Sequence, residues 1–509
     1  MSQSGTSYGV ILMAFRLTII NQEWNHQKKK KVMRKNNRSL SSFLLVSLIV
    51  LFSGVTQGQT KDSSTRYLSI DELTALVLKY HPIAQQASIQ IGQAQANLRI
   101  ARGAFDPVAS FKSAEKTFDG TSYYTYQQPT LTIPTWFGIE VQTGTEQVSG
   151  NRANPTETLG KSSYLGIQIP IGRDLLTDKR RTDLQKAKIA KEASYTERRK
   201  MLNDLMLEMQ IAYWEWVRDV RLLSITADAL QTVRKRFQFV KESVRLGDRP
   251  AIDTIEALTQ VQQFEQQWNN AMLAFQTSQW ELSQYLWQED QRPYLLPENC
   301  RPTPGQYEKV IESNALSSAE PFLEAARSSH PELLLYDFKL NSLAVEKRYR
   351  TQQLLPKAAF TYNFLEKGLG WTAPKSVLFE NNFQYGLSLA IPLRLSAERG
   401  EFKKIKYSIQ SVSLEQDLKK WQIENKVRTH FYEVQNLLNQ VSLQQKTLLN
   451  FQALLRGEEL RFRTGESSLF LVNARETRAW EAAQKLEEVK AKHLIAFQKL
   501  YWAAGLLNK

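Results

Sequence analysis

The chain has 509 residues, 42% of them hydrophobic and 10% aromatic, which excludes a mainly disordered protein. The formal net charge is +15, but residues 1–38 carry +7 of it, and the other charges are interspersed along predicted helices. That distribution argues against nucleic-acid binding, which needs a concentrated basic patch. The single cysteine, Cys300, excludes an intrachain disulfide and a cysteine-based metal site.

Residues 1–58 are typical of an N-terminal extension followed by a secretory signal peptide. Met33 to Arg38 form a basic segment, and Phe43 to Phe52 form an apolar run that is too short for a transmembrane helix. Small residues before Gln59 suit cleavage near Gly58, and Met33 is a second candidate start of the chain. We therefore expect an exported mature protein.

The first structural repeat is predicted over residues 59–292. It opens with a helix in which Ser69 and Glu72 have capping-box spacing, followed by strands in 107–170, where Gly, Thr, Tyr and Ser replace the helical period. From Arg180 to Leu246 there is no Gly and no Pro, which predicts one helix roughly 100 Å long. Gly247 and Pro250 end this helix, and a return helix is predicted over 251–292.

Both long helices carry narrow apolar seams with steps of three and four residues, which is the spacing of coiled-coil packing. The outgoing seam comprises Leu230, Val233, Phe237, Val240 and Val244. The return seam comprises Leu258, Val261, Trp268, Met272, Phe275, Leu282 and Leu286, with Glu265 and Gln279 as polar interruptions. The sequence therefore predicts a long antiparallel helical hairpin.

A Pro-rich connector over 293–318 leads to a second repeat over 319–509. The pair His330-Pro331 follows His81-Pro82 by 249 residues, and Ile391-Pro392 repeats Ile169-Pro170. Strands are expected in 356–392, a second long helix from about Arg399, a tip near Gly465, and a return helix to about Ala504. A duplication on this scale determines the whole fold.

The predicted strands alternate apolar residues with small or polar ones. In the second repeat Phe383, Tyr385, Leu387, Leu389 and Ile391 share one face, and we expect that face to meet lipid. Aromatic residues suited to a membrane-interface girdle are Tyr123, Tyr124, Tyr126, Trp136, Phe137 and Trp371. The alternation alone fits a soluble sheet equally well. In a membrane, two hairpins per chain are too few to close a barrel, so several chains must contribute.

The ordered set of features resembles the TolC-like outer-membrane efflux protein family, also called outer membrane factors, over 59–509. The features are the opening Leu68-x-x-Asp71-Glu72, the His-Pro and Ile-Pro pairs, and the two tips on a duplicated plan. The resemblance implies a fold that is mainly α with β. In it, a homotrimer builds a 12-stranded outer-membrane β-barrel, with four strands per chain, continued by a periplasmic α-helical barrel.

Members of that family are passive exit ducts of tripartite efflux or type I secretion systems. They dock a periplasmic membrane-fusion adaptor and an inner-membrane transporter at their helical tips. Matching positions here make Arg245, Leu246 and Gly247 docking candidates in the first repeat, and Arg463, Thr464 and Gly465 in the second. For each tip the alternative is that its glycine is only a helix cap.

The family often places an acid six residues after each tip glycine, at the periplasmic gate. Asp253 occupies that position in the first repeat, with Glu256 one turn later, but Leu471 occupies it in the second. A trimer would therefore keep three carboxylates at the gate. The alternative is that Asp253 only stabilises the N-terminus of its own helix. The first strand region is about 27 residues longer than the second, and we expect the excess, including 144–160, in extracellular loops.

No catalytic motif, cofactor motif or metal-ligand spacing is recognisable, and His81 and His330 at helix bends are most simply structural. The sequence thus favours a non-enzymatic duct. The competing interpretation is a soluble periplasmic coiled-coil scaffold or adaptor with a small β domain, and the two differ in what covers the apolar strand face. The sequence identifies neither the cargo nor the partner transporter.

Overall fold

The computed structural model describes residues 66–150, 158–305, 318–370 and 378–507. They belong to the compact unit Thr65–Lys509. The predicted signal peptide, the candidate start Met33, the cleavage position, Trp371 and residues 306–317 of the connector lie outside the described residues.

The first repeat begins with a short strand rather than a helix, because β1 (Arg66–Leu68) pairs in parallel with β6 (Cys300–Pro302). Two helices follow, α1 (Ile70–Tyr80) and α2 (Pro82–Gly103). The Ser69 hydroxyl caps α1 by accepting from the Glu72 amide at 3.1 Å, as its spacing predicts. Next come β2 (Val108–Phe118), β3 (Thr121–Pro134), β4 (Glu140–Ser149) and β5 (Gly160–Gly172).

The predicted long hairpin consists of α3 (Lys179–Arg245), with 67 residues, and α4 (Ile252–Ser283). Leu230, Val233, Val261 and Phe264 are buried between the two helices, which confirms the central part of the seam. Leu258 was wrongly placed on that seam, since it is exposed, and Phe264 packs there instead.

The return helix ends at Ser283, nine residues before the predicted end at 292. The Ser283 hydroxyl accepts from the Leu296 amide at 3.0 Å, and the buried Gln279 side chain donates to the Leu296 carbonyl at 2.7 Å. The chain therefore turns back onto α4 after Ser283. Residues 284–292, which were predicted to continue the helix, do not belong to it. Tertiary hydrogen bonds, not a Gly or Pro, determine this boundary.

The second repeat contains α5 (Glu320–Ser329), α6 (Pro331–Gln352), β7 (Lys357–Lys367), β8 (Phe383–Ala390), α7 (Ser396–Arg463) and α8 (Leu469–Ala503). Each repeat has its own core beside its short first helix. In the first repeat Leu73 and Val77 pack with Trp214 and Trp216. In the second, Phe322 and Leu323 pack on α7 and α8.

All strands except β1 and β6 form one antiparallel sheet in the order β2-β3-β4-β5-β7-β8. The expectation of four strands per chain is therefore wrong, because the described sheet has six. The additional residues of the first repeat form a second hairpin rather than longer loops, and only 151–157 of the expected loop lie outside the description. The alternation from Phe137 to Gln142 predicts a strand, but residues 137–139 belong to the turn 135–139 between β3 and β4.

Among the described helices, none combines the length and apolarity needed to cross a bilayer.

Candidate functional site

The register of the sheet places most of its apolar side chains on one face, because directly paired residues of neighbouring strands point the same way. Ile167 pairs with Tyr362, which in turn pairs with Tyr385. Towards the β2 edge of the sheet, Ile167 pairs with Val141, and Val141 pairs with Ile133. The full apolar face comprises Ala109, Phe111, Leu131, Ile133, Val141, Leu165, Ile167, Ile169, Phe360, Tyr362, Phe364, Phe383, Tyr385, Leu387 and Leu389.

The residues that the sequence assigned to lipid lie at the β8 end of this face. Leu387 and Leu389 are 68% and 65% exposed, and Tyr385 and Ile391 are also more than half exposed. Phe383 is partly covered by Phe379, whose ring centroid lies 5.6 Å away. Ile391 falls one residue beyond the end of β8. An exposed apolar patch of this size marks an interaction with lipid or with protein.

The opposite face is polar and internally hydrogen-bonded. Thr130 Oγ1 and Gln128 Nε2 lie 2.7 and 3.2 Å from the Tyr164 hydroxyl, and the Tyr126 hydroxyl donates to Gln128. Tyr126 is buried in this network, so its predicted place in an outward aromatic girdle is wrong. A sheet with one apolar and one polar face can separate lipid from water.

Two of the predicted girdle residues lie at the turn between β3 and β4. The Trp136 ring stacks on Phe105 with 4.3 Å between centroids, and Phe137 is exposed. Both residues are therefore close to the start of β2 and the end of α2, at the boundary between sheet and helices. Tyr124 lies on the polar face with Tyr126, because alternate residues of β3 share a face. Tyr123 lies at the register shift between β2 and β3, opposite Lys116 and Thr117.

The helical tips of the two repeats have the same backbone geometry. Gly247 and Gly465 have φ of 83° and 82°, a left-handed conformation that glycine adopts without strain. The amide of Asp248 donates to Ser243 O at 2.9 Å, and that of Glu466 donates to Arg461 O at 2.8 Å. Both tips are thus Schellman caps, and the predicted docking residues Arg245, Leu246, Gly247, Arg463, Thr464 and Gly465 are all exposed.

The two tips also contact each other. The Arg249 guanidinium lies 4.1 Å from the centre of the Phe462 ring, and Leu469 packs with Val240 and Ala257. These contacts hold the ends of both hairpins in one cluster.

Behind the tips, an ion pair joins the first hairpin to the second. Arg236 on α3 donates to both carboxylate oxygens of Glu476 on α8, one of them at 2.8 Å, and to Asn473 Oδ1 at 3.3 Å. Glu476 is only 2% exposed, and burial raises the pKa of its carboxyl while Arg236 opposes the shift. A buried, bidentate pair of this kind is a strong positional constraint.

This ion pair was not predicted from the sequence, although one pattern could have indicated it. Leu469, Val472, Glu476 and Ala479 continue a seam in steps of three and four, so Glu476 falls where an apolar residue is expected. A carboxylate at a seam position predicts a buried partner.

The two gate candidates, Asp253 and Glu256, each have a polar partner, and the two partners are different residues. Asp253 in the first turn of α4 pairs at 3.4 Å with Arg249, which precedes that helix, and Glu256 Oε1 accepts from Asn473 Nδ2 at 3.3 Å. Leu471, which replaces an acid in the second repeat, is partly exposed. The first tip therefore presents a carboxylate already neutralised by an arginine.

The two His-Pro pairs have equivalent structural roles. His81 Nδ1 accepts from the Ile83 amide, and His330 Nδ1 accepts from the Glu332 amide, each at 3.2 Å. Burial lowers the pKa of His81, and it lowers the pKa of His330 to about 4. Both imidazoles are thus neutral helix caps, as the structural interpretation of the sequence predicted. Within the described part of the chain, no cluster of His, Cys, Asp and Glu could hold a metal ion.

Comparison with protein-family models found no match, and comparison with curated proteins found none either. Solved structures do match. A membrane protein from Pseudomonas aeruginosa is 16% identical, with a TM-score of 0.64 over 86% of this chain and 92% of that one. The transmembrane channel CusC is 14% identical, with a TM-score of 0.63 over 86% and 93%. The outer membrane channel MtrE of Neisseria gonorrhoeae, in its open state, is 12% identical, with a TM-score of 0.61 over 86% and 88%.

Proposed function

We propose that this chain, which has the fold of the TolC-like outer membrane factor channels, is a passive exit duct in the outer membrane. Three copies of the chain would form the duct. It would extend into the periplasm and serve a tripartite efflux or type I secretion system. Its partners would be outer-membrane lipid, a periplasmic membrane-fusion adaptor and an inner-membrane transporter. This duct would use no cofactor and catalyse no reaction.

The observation that carries this proposal is the two-faced sheet. The outward rows that include Leu387 and Leu389 would contact lipid, and the row that includes Gln128, Thr130 and Tyr164 would line water. A soluble scaffold would have to cover the apolar face with protein, and the described residues leave its β8 end exposed. The strands have 8 to 14 residues, which suits tilted membrane-spanning strands.

A stripe of exposed apolar residues along α7 favours a multimer. Trp421, Tyr432, Leu443 and Leu454 follow one another at intervals of 11 residues and are about half exposed or more. Eleven residues make three turns at about 3.67 residues per turn, so the four side chains line one side of the helix. A neighbouring copy of the chain would cover this stripe in a helical barrel.

The tips would face the periplasmic partner, about 100 Å from the sheet along α3. We place adaptor docking at Arg245–Gly247 and Arg463–Gly465, and a gate at the clustered hairpin ends near Asp253 and Glu256. The Arg236–Glu476 pair would hold this end closed.

Planar-bilayer recording tests the proposal. The purified protein should insert and give discrete conductance steps, either as wild type or as an Arg236→Ala variant with a loosened tip. A soluble scaffold gives no steps with either protein, and that result would refute the duct.

A further inference from the structure

Within the described residues, the hairpin β3–β4 has no counterpart in the second repeat, where β7 and β8 are consecutive strands of the sheet. It lies inside the sheet rather than outside it, because β3 pairs with β2 and β4 pairs with β5 along most of their lengths. With 14 and 10 residues, both strands are long enough to span a bilayer.

The turn between β3 and β4 is fixed at the level where the strands meet the helices. Arg180 at the start of α3 pairs with Glu140 at 2.8 Å, and Arg181 donates to Phe137 O at 3.4 Å. Arg181 also donates to Asp174 O at 2.6 Å, in the link between β5 and α3. Both added strands therefore cover the same height as β5, from the helix junction to the far end of the sheet.

The apolar face continues across the added hairpin in the two rows next to the helix junction. One row runs from Ile133 through Val141 to Ile167, and the other runs from Ala109 and Leu131 through Thr143 to Leu165. The polar face continues likewise through Thr130 and Gln128 to Tyr164. A hairpin outside the membrane would not need an apolar face and a polar face in register with those of the neighbouring strands.

The edges of the sheet are β2 and β8, and they run in opposite directions because four alternating strands lie between them. The β8 edge of one copy can therefore pair in antiparallel fashion with the β2 edge of the next copy, and lipid leaves no strand edge unpaired. We propose that three copies of the chain close an 18-stranded barrel, with β3–β4 as part of its wall. This inference rests on the proposed function.

The helices attached to the sheet are consistent with this count. Each chain brings four helix ends to the junction, from α2, α3, α6 and α7. At about 10 Å per helix they occupy ~40 Å of perimeter. Six strands, about 4.8 Å apart and tilted by roughly 40°, occupy ~38 Å, whereas four occupy only ~25 Å. The lumen of the strand barrel would be roughly half as wide again as in a 12-stranded barrel, and it would admit bulkier cargo.

Cysteine labelling tests the position of the hairpin in outer-membrane vesicles. In a Cys300→Ser background, Val141→Cys and Gln142→Cys probe the two faces of β4, and Leu387→Cys and Ser388→Cys are the matched references on β8. A charged, membrane-impermeant maleimide should label Gln142→Cys and Ser388→Cys at least tenfold faster than their neighbours.

The outcomes separate the two proposals. If β8 alternates and β4 does not, the added hairpin lies outside the wall, and the 18-stranded barrel is refuted while the duct stands. If neither strand alternates, the sheet does not lie in the membrane, and the proposed function fails as well. Electron microscopy of the wild-type trimer in lipid nanodiscs gives an independent count, in which 12 strands would overturn the inference.

Discussion

The two repeats agree at their helical tips and differ in their sheets. Gly247 and Gly465 have φ values within one degree of each other and the same capping hydrogen bonds. Of the described strands in the large sheet, the first repeat contributes four and the second only two. Strand number could change only by a whole hairpin, because a single added strand would reverse the direction in which the chain enters α3. The tips have no such freedom, since each must end a long helix at a fixed position.

The largest expected effect comes from breaking both tips. Pro cannot adopt the positive φ of Gly247 or Gly465, so Gly247→Pro with Gly465→Pro should abolish export while trimer formation and membrane insertion persist. Export is measured as cargo release from cells that contain the cognate partners. Gly247→Asn with Gly465→Asn is the control, because Asn tolerates this conformation and should retain export. Unchanged export with the Pro variants would remove the docking role from the tips.

Loosening the contact between the two hairpins should have the next largest effect. Arg236→Ala leaves the buried Glu476 carboxylate unpaired, at a cost of about 3–5 kcal/mol. We expect faster labelling of cysteines placed at the tips and larger conductance. Arg234→Ala is the control, because its partner Glu265 is exposed. It should change the labelling rate and the conductance by the equivalent of less than ~1 kcal/mol. Equal effects from the two variants would contradict the proposal that the Arg236–Glu476 pair holds the tips closed.

The two faces of β8 should respond differently to a charge. Leu387→Arg places a guanidinium on the apolar face and should destabilise the folded barrel by roughly 2–4 kcal/mol near the bilayer centre. Ser388→Arg, on the polar face, should cost less than about 1 kcal/mol. Urea unfolding in lipid vesicles measures the difference. A larger cost at Ser388 would reverse our assignment of the faces.

The cap at the second His-Pro pair should make stability depend on pH. Burial and the cations of Lys419, Lys426 and Arg199 lower the pKa of His330 to about 4, from 6.5. Between these values the unfolded chain binds more protons, so the stability contributed by neutral His330 is complete above pH 6.5 and is lost as the pH falls to 4. The loss reaches roughly 3 kcal/mol per chain.

Thermal unfolding from pH 7 to pH 4 measures this loss. His330→Asn keeps an N-cap that does not titrate, so the variant should lose less stability over the same range. A pH profile identical to that of the wild type would show that His330 contributes nothing to it.

Local patterns in the sequence were enough to predict the helices and their tips. The stretch from Arg180 to Leu246 contains no helix breaker, Gly247 and Gly465 supply the caps, and Ser69 begins α1 as its spacing predicts. The duplication then ordered these elements correctly.

Three features could not be predicted from local patterns in the sequence. The β3–β4 turn was hidden because Phe137 and Ile139 continue the alternation of a strand. The end of α4 depends on the hydrogen bond between Ser283 and Leu296. The Arg236–Glu476 pair joins residues 240 positions apart. Non-local hydrogen bonds and ion pairs determine all but the first of these features.

The most direct test of the account is the mass and location of the mature protein. Membranes are fractionated, the outer membrane is extracted in mild detergent, and light scattering gives the protein-only mass. The account predicts three chains in the outer-membrane fraction. A monomer or dimer in the soluble periplasm would contradict it and favour the coiled-coil scaffold.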